Sequence, residues 1–598
     1  MATSVDRSPD APLKMWVQAL ERTAPITANP AITLPRLIDD LADTFEAAFA
    51  LLGDSGSLSY RALAQLNNRY ARWALAQGLR KGDVVCLLMQ NCPDYMAIWL
   101  GMTRVGVTVA LINTNLVGAQ LAHSVNIAAP KHIIVGKELV DAFVAVFPQI
   151  ASRVQCWAHG HDSHGFPRID QAALCLVGDK LHRSEFQPPS LEDSALYIYT
   201  SGTTGLPKAA HVSHMRLMQW SHWFAGMMDT RTSDRMYNCL PMYHSIGGVV
   251  ATGAILVNGG AVVIRREFSA SRFWDEVVEW NCTLFQYIGE LCRYLVNSPT
   301  HPREADHRIR LCCGNGLRSD IWQMFQSRFH IPRILEFYAA TEGNFSLYNC
   351  EGRPGAIGRI PSFLAHRFPV ALVKLDRDAG EPVRDNDGFC IHCSTNEAGE
   401  AIGEIIHDDA HPGSRFEGYT DKGAADKKIL RNVFVAGDAW FRTGDLMRKD
   451  KRGYYYFVDR IGDTFRWKGE NVSTTEVAET IATCPGVVEA IVYGVSIPGT
   501  EGRAGMAAVV VTRDFDVLAF RHHLVQHLPE YARPLFLRIR DAIETTGTFK
   551  PNKQRLSCEA YNPALTADPV YFNDRVSGAF VILDAALYER IRSGDLRL

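Results

Sequence analysis

The sequence predicts an α/β protein of about two to four domains, built largely on parallel sheets and closed by a smaller α+β domain. Three observations carry this. Wholly apolar runs such as Val84–Met89 and Val107–Ile112 alternate with stretches of helical period, as strands buried on both faces do when helices cross between them. The alternation recurs at His132–Gly136, Ala261–Ile264 and Ile309–Cys313. Past Asp459–Asp463 the pattern changes, with strand-like runs at Glu489–Gly494 and Gly505–Thr512 and a helical run at Leu518–Leu528.

Taken in order, Leu34–Phe49 has helical periodicity and is expected to open the fold. Ser57–Tyr60 reads as a strand end, Leu63–Leu75 and Asp94–Val105 as helices, and Ala195–Tyr199 as a strand. Asp376–Asp387 is charged and bears Gly and Pro, as in the turns of a β-rich subdomain. The Lys449–Gly453 turn leads into a strand at Tyr454–Val458. Asp459–Asp463 then reads as a boundary, giving domains 1–460 and 461–598.

Hydrophobic content of 47% and charged content of 21% are those of a globular chain, and the net charge of −3 implies no basic face for nucleic acid. Of 14 cysteines, Cys390 and Cys393 alone have C-x-x-C spacing, and no second pair completes a zinc set. Reduced thiols and a cytoplasmic location are expected. Met1–Leu13 is polar and lacks the apolar core of a signal peptide. Tyr95–Ile112 is the most membrane-like stretch, but Arg104, two threonines and two glycines keep it short of a spanning helix. Peripheral contact with the inner face of a membrane stays open, as does the oligomeric state.

The most informative segment is Thr200–Lys208, Thr-Ser-Gly-Thr-Thr-Gly-Leu-Pro-Lys, directly after the strand Ala195–Tyr199. Its two glycines, four hydroxyls and lysine on one turn suit a phosphate cradle: glycine admits close backbone approach, N–H groups and hydroxyls donate, and Lys208 adds a cation. The spacing is not Gly-x4-Gly-Lys-Ser/Thr, which argues against a P-loop kinase or ATPase. Further along stand Leu240-Pro-Met-Tyr-His244-Ser245, Tyr338-Ala-Ala-Thr341-Glu342-Gly343, Trp440-Phe-Arg-Thr-Gly-Asp445 and Asp459-Arg460.

In this order, these segments resemble the adenylate-forming enzymes, the superfamily of acyl-CoA synthetases, luciferases and nonribosomal peptide adenylation domains. Asp459–Val477, Cys313–Leu317, Leu111–Asn115 and Thr546–Lys550 are similar to the fatty acid transport protein and very-long-chain acyl-CoA synthetase branch. The likeness runs from about residue 35 to 575, and the membrane segments that precede this region in animal members are expected to have no counterpart here. The resemblance implies a large N-terminal domain of mixed and parallel sheets with a β-rich subdomain, and a small mobile α+β C-terminal domain. It implies ATP, Mg²⁺ and CoA, a fatty acid as acyl donor, and formation of an acyl-adenylate.

Site roles follow from the same resemblance. Thr200, Ser201, Gly202, Thr203, Thr204, Gly205 and Lys208 would cradle phosphates. Glu342, with help from Thr200, would hold Mg²⁺, and Thr341 would bond the α-phosphate. Tyr338 would stack on adenine, with Gly314, Asn315 and Gly316 alongside. Asp445 and Arg460 would contact the ribose, and His244 would line the junction of acyl and nucleotide sites. Lys550 would be the adenylation lysine. It departs from the wider pattern, because Thr548 and Phe549 separate it from Gly547, and Lys553 lies close by. The hinge falls on Gly462 or Asp463. Lys468 and Gly469 would face CoA, whereas Trp467 can equally be a packing residue. Three rivals stand beside the fatty acyl-CoA synthetase: a ligase for bile-acid-like or aryl acids, an uptake protein that binds or translocates fatty acid, and a carrier-protein ligase.

Overall fold

The computed structural model describes residues 12–596 apart from 152–153, 162–163, 202–206, 377–379, 407–414, 462–463, 468–469, 499, 501 and 545–552. The chain divides into two compact units. The first comprises Met1–Val370, Gly403–Arg431 and Gly437–Phe441; the second comprises Ala371–Ile402, Asn432–Ala436 and Arg442–Leu598.

The first unit is built on two large sheets. One runs Gln155–His159, His132–Gly136, Val84–Leu88, Thr108–Leu111, Ser194–Ser201 and Pro207–Ser213 in spatial order. Its pairs are parallel until the last, where Pro207–Ser213 returns antiparallel to Ser194–Ser201. The other has eight strands, in the order Ser346–Asn349, Ile334–Ala339, Leu311–Asn315, Leu284–Ile288, Arg235–Asn238, Ala261–Ile264, Phe49–Gly53 and Gly56–Ser59. Its inner pairs are parallel and its two outermost pairs antiparallel. The apolar runs that predict buried strands are these inner strands: Thr108–Leu111 and His132–Gly136 are buried along their whole length.

Local chemistry sets the element ends. Ser59 caps the helix Tyr60–Ala76 by accepting from the Ala62 N–H at 3.1 Å. The helix Pro93–Arg104 is buried on every side, and Gly101 lets it approach its neighbour: a Cβ there would lie 2.6 Å from the Asn67 carbonyl oxygen. Arg104 at its end is buried against the buried Asp39 at 3.0 Å. Burial pushes the Asp39 carboxyl up while the guanidinium opposes it. The membrane-like stretch is thus a core helix followed by the strand Thr108–Leu111.

The N-terminal expectation is corrected. The fold opens on a helix at Pro12–Ala28, ahead of the expected Leu34 start, and the next helix stops at Phe45. Glu46 has φ +32°, which breaks the helix, and Phe49–Gly53 is drawn into parallel pairing with Ala261–Ile264. Tertiary pairing here overrides a local helical period. The opening helix packs on His214–Met227 across Gly226, where a Cβ would sit 2.5 Å from the Ala19 Cα. Its Trp16, 1% exposed, meets Trp223, Tyr348 and Phe368 edge-on at 5.5–5.9 Å.

In the second unit a five-stranded sheet runs Val487–Val495, Ala504–Val511, Phe536–Arg540, Val570–Asp574 and Ala579–Ile582. The helices Thr474–Ala482 and Val517–His527 contribute Val477, Ile481, Phe520 and Leu524 to its core. Phe536 stacks on Tyr561 at 4.2 Å. The strand expected to end at Val458 continues to Arg460 and pairs with Asp445–Lys449, so Asp459 and Arg460 belong to a sheet.

Replacing Trp16 by Ala removes a fully buried indole from an aromatic cluster, at a cost of about 3–5 kcal/mol. Denaturant unfolding followed by tryptophan fluorescence is expected to shift the first transition to lower denaturant. An unmoved transition would show that the helix Pro12–Ala28 adds nothing to the first unit.

Candidate functional site

The two ends of the glycine-rich segment lie in paired antiparallel strands. Thr200 pairs with Lys208 and Ser201 with Pro207, so Thr200, Ser201 and Lys208 lie in the strands, where the sequence reading had placed them on the turn. Gly202, Thr203, Thr204 and Gly205 lie outside the described residues.

A residue that the sequence reading missed gathers these paired strands and the Thr341-Glu342 segment. Tyr419 bridges antiparallel to Ala210 on the returning strand; His211 N–H donates to the Gly418 carbonyl at 3.1 Å, and Thr420 N–H to that of Ala209 at 3.0 Å. The Tyr419 hydroxyl donates to Glu342 Oε1 at 2.6 Å, and the Thr200 side chain hydrogen-bonds the same phenol. Lys208 Nζ lies 5.7 Å from the centre of the Tyr419 ring. Burial, with the Glu342 charge beside it, pushes the phenol well above its ordinary pKa. The only local signal was an aromatic next to a glycine before the cap Asp421, whose side chain accepts from Gly423 and Ala424.

Thr341 is held from two sides. Its hydroxyl lies 3.2 Å from Ser245 Oγ, and its carbonyl accepts from Arg216 Nη1 at 2.8 Å. Arg216 also donates to the Arg415 carbonyl at 2.8 Å and lies 3.6 Å from Glu417. Glu417 in turn accepts from the Ser213 hydroxyl at 2.6 Å, and Ser213 caps Arg216's own helix. A chain of part-buried polar contacts therefore ties the Thr341-Glu342 segment to the start of the helix His214–Met227.

Leu240–Ser245 is fixed by asparagines. Asn91 donates to the Leu240 carbonyl and accepts from Met242 N–H, each at 2.9 Å, and Asn238 donates to the Gly247 carbonyl at 2.8 Å. A π-helical turn follows at Ile246–Val250, a feature that often marks a functional stretch. It requires Gly248, since a Cβ there would lie 2.0 Å from the Met242 carbonyl oxygen. The His244 ring packs on Tyr243 at 4.5 Å. Asn115 donates to the Tyr243 hydroxyl at 3.2 Å, and burial raises that phenol to about 12.

Gly314–Leu317 leaves the strand Leu311–Asn315 in a turn with Gly316 at φ +77°. Gly314 sits over Tyr287, where a Cβ would lie 2.2 Å from the carbonyl oxygen. Beneath the turn is Glu336, 2% exposed, which accepts from Leu317 N–H at 3.1 Å and pairs with the Tyr287 hydroxyl. Burial pushes this carboxyl up to about 8. Tyr338, two residues on, lies at 6.0 Å from the Phe345 ring.

The second unit carries the remaining described residues. Asp445 and Arg460 face each other across paired strands, with Arg460 Nε 3.4 Å from the Asp445 carboxylate. Gly444, in the same strand as Asp445 and at φ +77°, is tied by its N–H to Glu400 at 3.2 Å. Glu400 is fully buried and also holds Arg442 at 2.9 Å. Asp459, buried, accepts from Thr474 N–H at 2.7 Å at the start of the helix Thr474–Ala482. Lys553 Nζ donates to Thr474 Oγ1 at 2.9 Å. Lys550, Lys468, Gly469, Gly462 and Asp463 lie outside the described residues.

The architecture is that of the adenylate-forming enzymes. The anthranilate CoA ligase AuaEII in complex with anthranoyl-AMP superposes over 90% of this chain and 98% of its own, with TM-score 0.76 and 18% identity. ATP-bound MatB from Rhodopseudomonas palustris covers 90% of this chain and 100% of its own, with TM-score 0.73 and 22% identity. The AMP-binding enzyme model matches residues 38–397, and the AMP-binding enzyme C-terminal domain model matches 476–550. Long-chain fatty acid transport protein 1 of Mus musculus is 40% identical over 575 residues, 95% of this chain and 88% of that protein. This chain therefore belongs to the AMP-binding enzymes, in the branch of the long-chain fatty acid transport proteins.

Tyr419→Phe leaves the Glu342 carboxylate, 8% exposed, without its phenol donor. Loss of a buried bond to a charged group costs about 1–3 kcal/mol, so the melting temperature of the variant is expected to fall at neutral pH. An unchanged melting temperature would mean that this bond does not hold the segment.

Proposed function

We propose that this chain is an ATP-dependent acyl-CoA synthetase that activates long or very long chain fatty acids through an acyl-adenylate, releasing AMP and pyrophosphate. The observation that carries the reading is the convergence of Thr200, Lys208, Ser245, Thr341 and Glu342 through Tyr419 and Arg216. It sets a cation, hydroxyls and a carboxylate beside a glycine-rich hairpin in the first unit. The choice of acid rests on the relatives, whose names specify long-chain fatty acids.

A carboxylate oxygen attacks the α-phosphorus of ATP, the bond to the β-phosphate oxygen breaks, and pyrophosphate leaves. The thiolate of CoA then attacks the acyl carbonyl, and AMP departs with the electrons of the acyl–oxygen bond. Negative charge crowds the first step, so fixed donors and cations lower its barrier. Lys208, Thr341 and the hairpin hydroxyls meet the phosphates. Lys550 meets the carboxylate and α-phosphate oxygens. Tyr338 stacks on the base beside Gly314–Gly316, while Asp445 accepts from the ribose hydroxyls, with Arg460 fixing its carboxylate. His244 borders the reacting carboxylate, and Lys468-Gly469 serves CoA. A domain boundary after Arg460 belongs to the same proposal.

Mg²⁺ prefers one or two carboxylates plus phosphate oxygens. Glu342, steadied by Tyr419 on one oxygen, and the Thr200 hydroxyl fit that set. The ion, when bound, neutralises phosphate charge.

The relatives' names also support a second reading, fatty acid uptake by binding or translocation. No described helix is long and apolar enough to cross a membrane. The two readings separate on nucleotide consumption. Incubation with ATP, Mg²⁺, CoA and saturated acids of increasing length, with cholate and benzoate alongside, is expected to yield AMP and acyl-CoA. Each buried methylene contributes about 0.8 kcal/mol, so kcat/KM is expected to climb with chain length and then level off. ADP as product would remove the adenylate; preference for a ring acid would remove the fatty acid; binding without AMP would leave uptake.

Lys550→Ala is expected to slow adenylate formation by about 100-fold or more, as loss of one charge-stabilising donor does, while thioester formation from supplied acyl-adenylate is largely spared. Equal loss in both half-reactions would make the residue structural. No loss would transfer the role to Lys553.

A further inference from the structure

We propose that His523 and His527 form a surface chelate in the second unit for a borderline divalent metal ion: Cu²⁺, Ni²⁺ or Zn²⁺. The two residues stand four apart on the helix Val517–His527, so their side chains share one face. Their ring centres are 4.2 Å apart, with 30° between the ring planes. The acyl-transfer reading uses neither residue, and the inference does not rest on that reading.

Hydrogen bonds decide which nitrogen of each ring is free to bind. His523 Nε2 lies 3.0 Å from the Thr480 carbonyl oxygen on the helix Thr474–Ala482. A carbonyl only accepts, so Nε2 carries the proton and Nδ1 the lone pair. The Thr483 hydroxyl agrees: it spends its hydrogen on the Thr480 carbonyl at 2.7 Å and can only accept from His523 Nε2 at 3.2 Å. His527 Nδ1 lies 2.9 Å from the His523 carbonyl oxygen, so there the proton is on Nδ1 and the lone pair on Nε2. Neither His523 Nδ1 nor His527 Nε2 has a hydrogen-bond partner among the described residues.

A metal-binding imidazole is set up in just this way: one ring nitrogen donates to a carbonyl, which fixes the tautomer and makes the other nitrogen more basic. Here two neighbouring rings are set up alike. His527 is exposed and His523 half-buried, so an ion reaches them from solvent. Two nitrogens held at about 2.1 Å from one ion are at most about 4 Å apart, a separation that side-chain rotation reaches from this ring spacing. Imidazole suits Cu²⁺, Ni²⁺ and Zn²⁺ and not the hard Mg²⁺. Among the described residues no group of three or more His, Cys, Asp or Glu could hold an ion. The other coordination positions therefore fall to water, and the site exchanges its ion with solvent, unlike a closed structural zinc centre.

The test titrates the untagged full chain, with the exposed Cys175 and Cys558 alkylated, using NiCl₂ followed by calorimetry and CuSO₄ followed by electron paramagnetic resonance. His523→Gln and His527→Gln are each expected to weaken the tightest Ni²⁺ site by about tenfold or more, since one imidazole remains where two chelate. His522→Ala removes an exposed imidazole that points off the shared face, and is expected to leave the affinity within about twofold of wild type. The copper spectrum is expected to show coupling to two imidazole nitrogens in the wild type and to fewer in His523→Gln and His527→Gln. Excess MgCl₂ is expected not to displace Ni²⁺. If His523→Gln does not fold, His527→Gln, at an exposed position, carries the test. Undiminished Ni²⁺ binding in either folded variant, an equal loss in His522→Ala, or a wild-type chain that takes up no Ni²⁺ would overturn the inference.

Discussion

The hydrogen bond from the Tyr419 phenol to the Glu342 carboxylate is the contact on which the geometry of the first unit's site depends. It joins the strand that returns from the glycine-rich hairpin, by way of the bridge between Ala210 and Tyr419, to the segment that follows the strand Ile334–Ala339. These segments come from sheets that do not share a strand, so their alignment has to be imposed by side chains. Arg216 and Ser245 add the second and third ties. The arrangement resembles a set of stays around one mast: loosening Tyr419 frees the carboxylate while leaving both sheets whole. It also keeps Lys208 over an aromatic face, where its charge stays near the hairpin without neutralising Glu342 directly.

Glycine is used here to bring backbones together as much as to make turns. Gly226 admits the opening helix, Gly248 admits the π-turn after His244-Ser245, and Gly314 seats the Gly314–Leu317 turn on Tyr287. In each case a Cβ would come within 2.5 Å of a backbone atom, so the approach itself, and not local conformational freedom, selects the residue. Backbone polar groups in and beside the site are answered one by one: Asn91 and Asn238 for the segment around Leu240–Gly247, Glu336 for the Gly314–Leu317 turn, Glu400 for the Gly444 N–H. An unanswered polar group in the interior is costly, and these residues are the counterparts that let irregular backbone sit next to sheet ends.

Much of the fold was legible because parallel, doubly buried strands leave continuous apolar runs. His132–Gly136 and Ala261–Ile264 were read to the residue, and the C-terminal strands and helix to within about two residues, the usual limit of boundary reading. The failures have physical causes. Leu34–Phe49 was read as one helix because its period runs on into residues that pairing with Ala261–Ile264 pulls into a strand. The opening helix was missed because Pro25 lies inside it and its stability comes from Trp16 and Ala19 packing on a distant helix. For the site, motif order grouped Thr200, Lys208, Thr341 and Glu342, and the structure gathers Thr200, Lys208 and Glu342 around Tyr419, with Thr341 next to Glu342. Tyr419, Arg216, Glu336 and Glu400 were invisible because they act through partners 19 or more residues away, and nothing local distinguishes a buried bonded carboxyl from an exposed one.

The central claim is that this chain joins a fatty acid to AMP before any thiol enters. Acid-dependent exchange of labelled pyrophosphate into ATP, measured with Mg²⁺ and without CoA, tests it most directly because exchange requires a reversible acyl-adenylate. The account predicts label in ATP only when a long-chain fatty acid is present. Acyl-CoA formation by the same preparation with no such exchange, or exchange that proceeds equally without any acid, would contradict it.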